Sequence, residues 1–185
     1  AYAHVLALLC DPGDQVLVPH PGYPLLPMIA DLAGVELRPY PLLYDGTWSI
    51  DLAGLAAAVD AAPRARAIAL VAPNNPTGNY LSAYELAALE DLAAARGLAL
   101  VADEVFFDYP LEHVPTASPI DAARALTFVL SGLSKVAALP QLKLAWIAAR
   151  GPDALVREAM RRLELVADTF LSAATPVQRA AGPLL

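Results

Sequence analysis

The sequence predicts an α/β fold: a three-layer α/β/α arrangement with helices on both faces of a mostly parallel sheet. Three observations carry that expectation. Short β-rich runs alternate along the chain with longer amphipathic stretches, the order that builds layered α/β units. Of the 185 residues, 57% are hydrophobic and only 17% charged, and the mean hydropathy is +0.48. Residues 98–102 are apolar throughout and 126–130 are apolar apart from Thr127, as suits strands covered on both faces.

The elements follow in order. Residues 2–9 read as a helix, with Tyr2, Val5, Leu6 and Leu9 in a helical pattern and no capping residue before them. Asp11-Pro12-Gly13-Asp14 is a turn and leads into a strand at 15–19. A helix at 24–33 stops at Gly34, a residue suited to the left-handed C-cap, and a strand follows at 35–40. A helix at 52–61 precedes a strand at 67–72. Ser82 and Glu85 form a capping box for a helix at 83–96. Strands at 98–102, 126–130 and 144–148 and a last helix at 152–170 complete the pattern. No internal repeat or low-complexity linker interrupts it, so residues 1–185 are expected to form one domain.

Several function classes are excluded or disfavoured. No uninterrupted apolar run approaches the ~18 residues of a membrane span, and the opening residues lack the basic and apolar regions of a signal peptide. The lone Cys10 rules out an internal disulfide and fits a reducing cytoplasm. A net charge of −7 argues against binding to nucleic-acid backbones. Trp48, Trp146 and the tyrosines show no interleaving with basic residues. His4, His20 and His113 have no metal-ligand spacing, and neither a P-loop nor a Gly-x-Ser-x-Gly elbow occurs. Arg157, Arg161 and Arg162, with Glu158 and Glu164 between and beside them, read as the solvated face of the last helix.

Three constellations can carry chemistry. Lysine is scarce: only Lys135 and Lys143 stand against ten arginines. An amine can lose its proton and attack a carbonyl, which a guanidinium cannot. Lys135 closes the small-residue run Ser131-Gly132-Leu133-Ser134-Lys135 directly after a strand candidate. It is either a surface lysine or an amine at a strand end within reach of a cofactor. Pro73-Asn74-Asn75-Pro76-Thr77-Gly78 is a rigid turn after another strand, either a plain connection or an amide donor held where ligands bind in open α/β sheets. Asp103 ends a third apolar strand and needs a partner to offset its desolvation. That partner is a helix N-terminus, an arginine or the protonated nitrogen of a pyridine ring.

In this order, the Asn-Pro-Thr-Gly, Asp-Glu and Ser-Lys strand ends resemble those of the class I/II aminotransferases, fold-type I enzymes that use pyridoxal 5'-phosphate (PLP). Asp11-Pro12-Gly13-Asp14 and Pro21-Gly22-Tyr23-Pro24 are similar to that family too, so the resemblance covers essentially the whole chain. It implies the PLP-binding large domain and transfer of an amino group between an amino acid and a 2-oxo acid. Lys135 matches the lysine that forms a Schiff base with the cofactor and shuttles the substrate proton. Asp103 matches the acid paired with the pyridine nitrogen, Asn75 the donor to the phenolic oxygen, and Tyr23 the ring stacked on the pyridine. Lys143 stands where the family has a phosphate-binding arginine, and Ser134 is a further phosphate contact.

The chain also departs from the pattern. Lys143 is a point charge without the bidentate fork of arginine. Phe106 stands where the family has a tyrosine that donates to the phenolic oxygen, a donor that Tyr109 could replace. The family's phosphate loop would precede Ala1, and its carboxylate-binding arginine would follow Leu185. The resemblance therefore implies an internal piece of a cytoplasmic homodimer, feebly active or inactive alone. The same signature serves a PLP-dependent C–S lyase and, without catalysis, the sensor domain of a transcription regulator.

Overall fold

The structure, a computed structural model, describes residues 1–111 and 116–185. In chain order its main elements are α1 (Tyr2–Leu9), β1 (Gln15–His20), α2 (Leu25–Ala33), β2 (Glu36–Tyr44), β3 (Trp48–Ile50), α3 (Leu52–Asp60) and β4 (Ala65–Val71). They continue as α4 (Ala83–Arg96), β5 (Ala99–Asp103), β6 (Thr127–Gly132), α5 (Leu133–Val136), β7 (Ala145–Arg150), α6 (Asp153–Asp168) and α7 (Thr175–Leu184). The strands make one sheet in the order β3-β2-β1-β4-β5-β6-β7. Strands β2, β1, β4, β5 and β6 run parallel, and β3 and β7 close the two edges antiparallel.

Period-2 geometry sorts the strand side chains between two apolar cores. Leu17, Ile68, Leu70, Leu100, Ala102 and Val129 face Leu55 and Val59 of α3 and Leu89 and Ala93 of α4. Their neighbours Val16, Ala67, Ala69, Val101, Phe128 and Leu130 face Val5 and Leu6 of α1, Ala30 of α2 and Ala159 of α6. This is the expected three-layer α/β/α build, and it explains why the central strands carry no alternation in sequence.

The Ser82–Glu85 capping box is formed. The Ser82 Oγ accepts from the Glu85 N–H at 3.2 Å, and Glu85 Oε2 accepts from the Ser82 N–H at 2.8 Å. The other Glu85 oxygen accepts from the Ile50 N–H at 2.9 Å, tying α4 to β3. Ser82→Ala is expected to lower the stability of the chain by about 1 kcal/mol. The midpoint of a urea titration measures it, and an unchanged midpoint would show the cap to be energetically idle.

Three elements depart from expectation. β3 is only three residues long and pairs back on the far end of β2, Leu42 opposite Ile50 and Tyr44 opposite Trp48. β2 itself runs four residues beyond its expected end at 40, through Pro39 and Pro41. Those two share a parity opposite to Glu36, whose N–H points toward the β1 side, so their missing donors face the edge that β3 leaves uncovered. α6 is not the last helix, because α7 follows it in spite of Gly182 and Pro183. The Glu158 carboxylate takes ion pairs from Arg161 and Arg162 on the exposed face of α6, as its charge pattern implies.

Candidate functional site

Four neighbouring parallel strands, β1, β4, β5 and β6, finish along one edge of the sheet. The register levels their ends: Val71 of β4 lies opposite Asp103 of β5, which lies opposite Leu130 of β6. Tyr23 follows the end of β1, Asn75 follows β4, Asp103 is the last residue of β5, and Ser134 and Lys135 follow β6 directly on α5. Ligands of open α/β sheets sit outside this carboxyl edge.

Asp103 is half-buried, and its partner is neither an arginine nor a helix N-terminus. Its Oδ1 accepts from the Val105 N–H at 3.1 Å and its Oδ2 from the Tyr2 hydroxyl at 2.9 Å. Burial pushes its carboxyl above the ordinary aspartate value, opposed by these two hydrogen bonds and by the positive charge of Lys135. The acid and the amine therefore feel one another across the strand ends.

Lys135 is solvent-exposed, with its Nζ 5.3 Å from the centre of the Phe106 ring. Its backbone is held by Tyr109. The Tyr109 hydroxyl donates to the carbonyls of Lys135 and Val136 at 2.9 and 2.6 Å. Tyr109 is thus engaged with the segment carrying the lysine, while Phe106 offers the ammonium a ring face.

The turn after β4 is organised by Asn74, not by Asn75. Asn74 is buried, and its amide donates to the Thr77 hydroxyl at 2.7 Å and to the Pro21 carbonyl at 3.2 Å. It joins the loop of Tyr23 to the loop of Asn75. Asn75 is left exposed on an open cleft of about 1040 Å³, which it lines together with Trp48, Tyr80, Phe106 and Tyr109. Tyr23 lines a smaller hollow of about 140 Å³ with Tyr2 and His20.

Lys143 is not brought into the cleft of Asn75 and Phe106. It lines a separate groove of about 820 Å³ with Ala1, His4 and Trp146, beside the start of α1. Ser134 is half-buried next to Lys135. His4 stacks on Phe170 with ring centres 4.2 Å apart, His20 is exposed at the end of β1, and His113 lies outside the described residues. Among the described residues no group of three or more metal-ligating side chains occurs, and no helix is long and apolar enough to cross a membrane.

Sequence reasoning missed Tyr2 and Asn74. The doubled asparagine was visible as a motif, but which of the two turns inward is decided by packing. Tyr2 looks like one more residue of an apolar helix face, and nothing local announces a partner 101 positions away.

The model of aminotransferase class I and II matches residues 1–185. The chain belongs to that family. Alanine aminotransferase of Mycobacterium tuberculosis (strain ATCC 25618 / H37Rv) is 35% identical over 181 residues, which cover 95% of this chain and 41% of that protein. An S-alkyl-thiohydroximate lyase of Arabidopsis thaliana is 30% identical over 181 residues, 93% of this chain and 39% of the lyase. Among solved structures, alanine aminotransferase from Pyrococcus furiosus superposes with a TM-score of 0.87 at 27% identity, over 97% of this chain and 45% of that one. This chain thus spans about two fifths of the curated relatives it matches. The family is PLP-dependent.

Proposed function

We propose that this chain is the cofactor-binding part of a PLP-dependent aminotransferase that moves an amino group between an amino acid and a 2-oxo acid. The observation that carries the reading is the row of Tyr23, Asn75, Asp103 and Lys135 on the carboxyl ends of four adjacent parallel strands. The donor set fits the cofactor. A shielded carboxylate suits a protonated ring nitrogen, an exposed amide suits a phenolic oxygen, and an amine suits an aldehyde.

When bound, PLP supplies an electrophilic aldehyde and a ring that withdraws electrons from the substrate's α-carbon. Asp103 would keep the ring nitrogen protonated, being buried enough for its charge to act at short range. Asn75 would donate to the phenolic oxygen unaided by residue 106, because phenylalanine has no hydroxyl. Tyr23 would cover one ring face. Lys143 would meet the phosphate beside the first turn of α1, where the helix dipole favours an anion, and Ser134 would add a hydroxyl donor. Lys135 would bind the cofactor covalently and carry the proton to and from the α-carbon. The full-length protein would be a homodimer, as the resemblance implies.

A second reading, a PLP-dependent C–S lyase, is favoured by the likeness to the thiohydroximate lyase. One experiment separates the two. Full-length protein is loaded with PLP and given alanine plus 2-oxoglutarate, or cystathionine alone. Glutamate from the first mixture supports transamination, and pyruvate with ammonia from the second supports elimination. A protein that shows no visible absorbance of bound PLP fails both.

A further inference from the structure

Among the described residues, the only side chain that hydrogen-bonds to the Asp103 carboxylate is Tyr2. We propose that Tyr2 is a positioning residue of the site: its phenol holds the Asp103 carboxylate in one orientation and in its charged form, and so governs how tightly that carboxylate binds a protonated ring nitrogen. The inference rests on the cofactor reading above.

Tyr2 sits in the first turn of α1, whose Val5 and Leu6 are buried against the sheet. The hydroxyl is therefore aimed by core packing and not by a free rotamer. Each carboxylate oxygen of Asp103 has one donor, Val105 N–H on Oδ1 and Tyr2 O–H on Oδ2. That fixes the plane of the group and leaves each oxygen a lone pair for an incoming donor. Tyr2 also lines the hollow that Tyr23 lines, so it borders the space a stacked ring would enter.

The phenol can only donate here. Burial and the Asp103 charge push its own ionisation well above the ordinary tyrosine value, which favours the protonated phenol. A hydrogen bond to the charged form favours that form. Besides the Tyr2 hydrogen bond, the side-chain charge facing Asp103 is that of Lys135 from α5, which lowers its pKa. Glu104 lies next to it in the chain, with its carboxylate turned to the Ser118 hydroxyl at 2.8 Å.

Tyr2→Phe keeps the ring and removes the donor. The carboxyl ¹³C resonance of Asp103, followed against pH in the cofactor-free chain, is expected to titrate at higher pH in the variant. PLP affinity, read from visible absorbance of the full-length protein, is expected to fall about tenfold. The loss grows as pH falls toward the Asp103 titration, because a protonated acid cannot form an ion pair with a ring nitrogen that is itself protonated. Added to Asp103→Asn, Tyr2→Phe is expected to cost no further affinity. Coincident Asp103 titrations in variant and parent would overturn the proposal, and so would a Tyr2→Phe loss that persists undiminished in Asp103→Asn. Failure of the parent protein to bind PLP would sink the cofactor reading instead, while the titration would still decide the link between the two side chains.

Discussion

Lys135→Ala is expected to abolish the covalent bond between this protein and PLP. Lys135 and Lys143 are the two lysines of residues 1–185, and they lie on separate parts of the site. Borohydride reduction of the loaded full-length protein, followed by peptide mass analysis, is expected to leave the cofactor on Lys135 and none on Lys143. In the variant the visible absorbance of a reducible adduct disappears. Turnover should fall by at least the ~10²–10⁴ that a positioned proton carrier contributes. Stability should stay within about 0.5 kcal/mol of the parent, because Lys135 is exposed and its anchoring runs through backbone. Tyr109 holds the carbonyls of Lys135 and Val136 whatever side chain stands at 135. A reducible adduct surviving in Lys135→Ala, or one found on Lys143, would rule out the assignment.

Much of this was legible in the sequence, for identifiable reasons. Turns and caps are local, so Gly34 at the end of α2 and the Ser82–Glu85 box at the start of α4 could be read from a few residues. Strands covered on both faces declare themselves by continuous apolarity, and polar residues that interrupt their ends mark the carboxyl edge. What resisted reading was either very short or distant in sequence. α5 has four residues and β3 three, too few for any periodicity. The polar partner of Asp103 comes from the first turn of the chain. Lys143 was singled out by the family resemblance, which could not tell that it would line a groove with the start of α1 and not the cleft of Asn75.

Gly132→Val is expected to cost both stability and cofactor binding, which ties the fold to the site in one position. In sequence this glycine is one small residue in a loop before Lys135. In the structure it is the last residue of β6, with extended backbone (φ 175°) that any amino acid can adopt. Its requirement is space. A Cβ here would stand 2.7 Å from the Leu144 carbonyl oxygen and 3.0 Å from the Ala145 Cα. Both are backbone atoms, which cannot rotate aside. The same Leu144 carbonyl accepts from the Leu133 N–H at 3.0 Å, the bond that starts α5, and Gly132 is paired with Ala145 in the β6–β7 ladder. Valine must therefore push β7 outward or turn α5, and Lys135 moves with α5. Overpacking of this kind costs about 1–3 kcal/mol, which a urea titration reads, and PLP affinity should fall with it. Gly182→Ala is the control: nothing lies within 4 Å of the added methyl on α7, and relief of the helical glycine should leave stability equal or higher by about 0.5–1 kcal/mol. Should Gly132→Val unfold at the parent's midpoint and bind PLP unchanged, the close approach of β7 is not what aims the lysine.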